Sequence, residues 1–76
     1  MIDKNYEALT DQELLDRLQE ECAEVIQEVS KVRRFGLDDS HPKYKGSNRE
    51  RLTAECSQVW NIISILDDRK VIYPDN

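Results

Sequence analysis

The chain has few of the means by which small proteins are usually held together. Its 76 residues include only two cysteines, two glycines, two prolines, one methionine and one tryptophan. Cys22 and Cys56 both fall in helix-compatible stretches beside apolar neighbours, and Met1-Ile2-Asp3-Lys4-Asn5 has no apolar h-region. That excludes a disulfide scaffold and points to a reducing cytoplasm, with both thiols expected as small buried core residues. No apolar run approaches the roughly 20 residues of a spanning helix, so no membrane partner is expected. Positive charge is also in deficit: 11 Lys and Arg face 16 Asp and Glu, a formal charge of -5. An acidic domain repels a phosphate backbone, which argues against long nucleic acid as a partner. Small phosphorylated ligands stay open, because a bound divalent cation inverts the local charge. At this length a chain sits near the lower limit for independent folding. Without disulfides, self-association is the expected source of stability.

What is present reads as a single all-α domain over residues 1-76. Residues 1-9 are mixed in character, an extended or weakly helical lead-in. Thr10-Asp11-Gln12-Glu13 has the capping-box pattern and opens a helix over about 11-35. Leu14, Leu18, Cys22, Val25, Val29 and Val32 recur along it at helical spacing. Gly36 is placed to end it in the left-handed conformation, after Lys31, Arg33 and Arg34 in the last turn. Residues 36-47 carry the Pro, Gly, Asp and Ser punctuation of a loop. Ser47-Asn48-Arg49-Glu50 repeats the capping box and opens a second helix over about 48-69, with Leu52, Cys56, Val59, Ile62, Ile63 and Leu66 as its apolar positions. The tail, 70-76, is extended by composition, and Pro74 rules out further helix there.

The acidic residues are the informative ones. At about 100° per residue, Glu21 borders the apolar arc of the first helix, and Glu55 borders that of the second. Positions three apart share a helix face, so Glu21 pairs with Glu24, and Glu55 with Gln58. Two antiparallel helices would then gather three carboxylates and one amide at their seam. Unpaired like charges in such a place cost several kcal/mol unless protons or a cation neutralise them. Oxygen ligands with room for water suit Mg²⁺ or Mn²⁺. The plainer alternative leaves the glutamates on solvated surfaces, paired with Arg17, Lys31, Arg33 or Arg34.

These residues also form a recognisable pattern. Glu20-Glu21-Cys22-Ala23-Glu24 resembles the EExxE motif of the MazG-like nucleoside triphosphate pyrophosphohydrolases, and Glu55-Cys56-Ser57-Gln58 stands where that family has ExxD. Arg34-Phe35-Gly36-Leu37-Asp38-Asp39 and Asn48-Arg49-Glu50 are similar to the loop borders of small phage-encoded members. The resemblance covers about residues 12-67. It implies a helical hairpin that assembles into four-helix modules as a dimer or tetramer, located in the host cytoplasm if phage-encoded. It implies Mg²⁺ gripping a triphosphate, which water attacks at the α-phosphorus to give nucleoside monophosphate and pyrophosphate. Glu21, Glu24 and Glu55 would be metal ligands, Gln58 would stand at the fourth ligand position, and Glu20 would be a ligand or a general base. Lys31, Arg34, Lys43, Lys45 or Arg49 would contact phosphates, with solubilising surface charge as the competing role for each.

Gln58 departs from the pattern, because an amide brings no charge to the metal. Ser57, Trp60 and Asn61 depart as well, where the family has glycine and small or aliphatic residues. Trp60 suits either base stacking or an inter-subunit interface, and the interface is preferred. Asn61 could read a base edge. Three functions follow. The first is a metal-dependent pyrophosphohydrolase. The second is a nucleotide-binding protein impaired in catalysis, such as a phage sponge that sequesters a nucleotide signal. The third is a helical module that binds another protein.

Overall fold

Two capping boxes fix where the long helices begin. The structure, a computed structural model, describes residues 4-43 and 45-74, without the Lys4 side chain. At the first box the Glu13 amide donates to Thr10 Oγ1 at 3.1 Å, and the Thr10 amide donates to Glu13 Oε1 at 2.9 Å. Those bonds favour the ionised acid and hold Glu13 below the usual carboxylate range, the backbone donor most of all. At the second box the Glu50 amide donates to Ser47 Oγ at 3.2 Å. The described elements are α1 (Lys4–Glu7), α2 (Asp11–Phe35) and α3 (Asn48–Asp68), so the fold is all-helical among the described residues.

The boundaries of α2 and α3 agree with the sequence expectation to within one residue. The lead-in, expected as extended or weakly helical, contains a short helix from Lys4, and its first three residues lie outside the described set. The end of α2 is corrected. Gly36 ends α2 at φ 94° and ψ 161°, which needs the freedom of glycine but is not the left-handed helical conformation. Its N–H still closes the helix on the Val32 carbonyl at 2.8 Å. The tail does not run straight on from α3. Lys70 turns it at φ 61°, and the Val71 amide bonds back to the Leu66 carbonyl at 2.9 Å. Val71 and Ile72 thereby pack on the core.

α3 runs back along α2, with contacts at both ends. Arg69 meets Asp11 at 3.1 Å at one end, and the Asn48 side-chain amide donates to the Gly36 carbonyl at 2.9 Å at the other. The buried positions of α2 are Leu14, Glu21 and Glu28, each seven residues from the last. That spacing makes one seam in three zones. At the α1 end, Tyr6, Leu14, Ile62, Ile65 and Leu66 form the apolar core. Leu14, Ile62 and Leu66 are wholly buried, and each such side chain contributes about 2 kcal/mol. Glu21 occupies the middle of the seam and Glu28 the loop end, so polar groups fill positions that a helix pair normally gives to leucine.

The apolar residues left out of that seam are on the outside. Cys22 and Cys56 are exposed, not buried as expected, because the α2–α3 contact falls on the glutamate side of each apolar arc. Ile26 is 69% exposed and Trp60 72%. Cys22, Val25, Ile26, Cys56, Val59 and Trp60 border an open groove of about 370 Å³.

Candidate functional site

The middle of the seam joins α2 to α3 through acids. Glu21, Glu24 and Glu55 each place a carboxylate oxygen within 4.8 Å of the others. Glu21 is buried, Glu55 is half-buried and Glu24 is exposed, so the cluster has a closed floor and one open side. Its convergence follows from the i, i+3 pairing of Glu21 with Glu24 on α2 and from the antiparallel approach of α3.

Electrostatics make the cluster costly when it holds nothing. Glu55 Oε2 is fully buried, and no hydrogen bond reaches it while the three acids are all ionised. The Glu55 carboxyl is pushed up to about 8, first by burial, then by hydrogen bonding with Glu21 and Glu24 and by their charge. A proton on Glu55 provides the donor that three adjacent carboxylates otherwise lack. A divalent cation would relieve the same strain. The donor set fits that role, since hard oxygens with an open flank for water are what Mg²⁺ and Mn²⁺ take.

The Gln58 oxygen is engaged outside this cluster. Gln58 Oε1 accepts a hydrogen bond from the Tyr6 hydroxyl. The Arg17 guanidinium lies over the Tyr6 ring, 5.6 Å from its centroid, and its Nη2 is 3.8 Å from Glu21 Oε1. Contact with Tyr6, and more weakly with Glu21 and Glu20, raises the Arg17 pKa. The position that would carry the fourth ligand is therefore part of a Gln58–Tyr6–Arg17 wall beside the acids. Tyr6 was not foreseen, because it sits in a lead-in with no periodicity of its own.

The expected phosphate contacts lie elsewhere. Lys31 is ten residues beyond Glu21, about 15 Å along the helix, and its Nζ bonds Glu28 Oε1 at 3.2 Å. Arg34 lies over the ring of its neighbour Phe35 at 5.2 Å. Arg49 pairs with Asp38 at 3.2 Å. Lys43 and Lys45 are exposed in the loop, and Tyr44 lies outside the described residues. Glu20 is exposed on α2 next to Glu21. Trp60 and Asn61 border a separate open groove on α3 with Thr53 and Ser57. Trp60 is two positions beyond Gln58, which turns it about 200° away around the helix.

A second polar group was not foreseen as a unit. Glu28 Oε2 lies 3.5 Å from Arg51 Nε, and both side chains are largely buried. Arg51 also donates to Asn48 Oδ1 and, at 2.7 Å, to the Gly46 carbonyl. Asn48, only 3% exposed, passes the connection to Gly36. This network ties both ends of the loop to the seam, and it is structural. A hint was available in Glu28, which shares its helix face with Glu21 seven residues earlier.

No helix is long and apolar enough to cross a membrane among the described residues. No family model matches this chain, and neither a curated protein nor a solved structure matches it.

Proposed function

We propose that the protein binds a divalent cation, Mg²⁺ or Mn²⁺, at Glu21, Glu24 and Glu55 and, with it, the phosphates of a nucleotide. The supporting observation is the convergence of three carboxylates on a buried oxygen of Glu55 that no hydrogen bond reaches while all three are ionised. Nucleotide as the ligand rests on the resemblance of Glu20-Glu21-Cys22-Ala23-Glu24 and the Glu55 segment to the MazG-like motifs. The reaction class it implies is hydrolysis of a nucleoside triphosphate to monophosphate and pyrophosphate. When bound, the cation would supply charge neutralisation for the phosphates. The chain's own contributions are the acids that hold it, the Arg17 charge at the edge of the cluster, and Glu20 as the exposed carboxylate able to take a proton from water. The working form is a homo-oligomer of helical hairpins in four-helix modules, dimeric or tetrameric.

A second reading, binding without turnover, is favoured by one contact. The Gln58 oxygen is engaged by Tyr6, leaving three charged ligands where the family has four. A protein of this kind would hold a nucleotide signal out of circulation.

One experiment separates the readings. The protein is incubated with a mixed nucleotide pool and Mg²⁺, separated, denatured, and both fractions are identified by mass spectrometry. Loss of one triphosphate with matching monophosphate and pyrophosphate establishes the enzyme. Stoichiometric recovery of an intact nucleotide establishes the binder. Neither outcome refutes nucleotide binding for that pool and leaves a helical module that binds protein.

A further inference from the structure

α2 has two seams side by side. The inner one, through Leu14, Glu21 and Glu28, faces α3. One position further round, Leu15, Gln19, Cys22, Ile26, Val29 and Arg33 repeat at alternating steps of four and three, the spacing of a coiled-coil face. Leu15 is 38% exposed, Val29 39% and Ile26 69%. α3 continues this surface across the groove with Cys56, Val59 and Trp60. The chain thus buries two glutamates in its own seam while leaving a regular apolar stripe uncovered, which is costly for a monomer.

Charge specifies what would cover the stripe. From Asp11 to Ser30, α2 carries seven acidic residues and one basic residue, Arg17. The last five residues of α2, 31–35, carry three basic residues and no acid. A parallel neighbour of the same kind would set acid beside acid over the helix's first five turns. An antiparallel one sets the basic end of each copy against the acidic end of the other.

We infer that a second copy of this chain packs antiparallel on the Leu15–Arg33 stripe, with Cys22 of each copy opposite Ile26 of the other. The same register places Gln19 opposite Val29, and Leu15, with Asp16 beside it, opposite Arg33. Self-complementarity of this kind is what a two-fold interface requires. Trp60 and the groove then flank the stripe on the same side, as part of the interface, where tryptophan is enriched. The inference rests on the homo-oligomer proposed above and adds its face and polarity.

The test uses the full chain with Cys56→Ser, so that Cys22 is the native thiol. Sedimentation comes first. A dimer is expected, dissociating at least tenfold more readily with Ile26→Glu while helical circular dichroism is retained. Ile26→Cys is then oxidised with diamide. The antiparallel register predicts a covalent dimer carrying two disulfides, each between Cys22 of one copy and position 26 of the other, identified by peptide mapping. A dimer that crosslinks only Cys22 to Cys22 or position 26 to position 26, or not at all, overturns the register and leaves the oligomer standing. A monomer at all concentrations overturns both. Charge reversal gives an independent check: Arg33→Glu weakens association, and Asp16→Arg added to it restores association.

Discussion

Replacing Glu55 by Gln keeps the side chain's shape and removes its titration, which makes the energetics of the acidic cluster measurable without any ligand. In the folded protein the carboxyl is held from its ordinary 4.5 up to about 8; in the unfolded chain it ionises normally. Between these values unfolding therefore releases a proton, so wild-type stability falls as pH rises from about 4.5 to about 8 and levels off above. At about 1.4 kcal/mol per pH unit, the ceiling is about 5 kcal/mol. The open side at Glu24 admits water, and solvent screening brings the expected effect to about 2 kcal/mol. Urea unfolding followed by circular dichroism, in EDTA at fixed protein concentration, measures it at pH 4, 6 and 8.5. Glu55→Gln should match wild type at pH 4 and exceed it by about 2 kcal/mol at pH 8.5. With EDTA replaced by millimolar Mn²⁺, wild type should gain stability at pH 8.5 and the variant should be nearly unmoved. A wild type whose stability is flat or rises over this range, or a variant less stable at pH 8.5, would refute the account of the cluster.

Five other variants probe the contacts described above. Gln58→Asp should add a fourth charge to the cluster and tighten Mn²⁺ binding about tenfold by calorimetry, and Tyr6→Phe, which releases the Gln58 oxygen, should cost about 1 kcal/mol of stability. Arg51→Met leaves Glu28 buried without its α3 partner and should destabilise by about 3 kcal/mol in urea unfolding, with faster hydrogen exchange at Asn48 and Arg49, whose amides bond to Asp39 and Leu37. Leu14→Ala opens a cavity in the zero-exposure zone and should cost about 3 kcal/mol in the same assay, whereas Leu15→Ala, its neighbour on the outer stripe, should cost little in the monomer and weaken association instead.

The helices were legible because their boundaries are written locally: Thr10 with Glu13, and Ser47 with Glu50, are complete signals within four residues. The convergence of Glu21, Glu24 and Glu55 was legible because helical spacing alone sets which side chains share a face. The choice of seam was not. A helical wheel shows that Leu14, Cys22, Val25 and Val29 lie on one side of α2, but it cannot say which part of that arc a neighbour covers. The neighbour took the Glu21 side, and Cys22 was left outside. The partner of Gln58 was hidden for a different reason. Tyr6 belongs to a helix of four residues, too short to form by itself or to imprint a period on the sequence.

That short helix depends on a residue at the far end of the chain. Arg69 donates to the carbonyls of Glu7 and Leu9, both at 2.8 Å, and meets the Asp11 carboxylate. One guanidinium thus buckles the start of the chain to the close of α3, some 60 positions away. The carbonyls of the turn around Tyr6 acquire this donor only once the chain has passed the end of α3. Loss of the Arg69 side chain would release that turn and, with it, the ring that contacts Gln58 and Arg17.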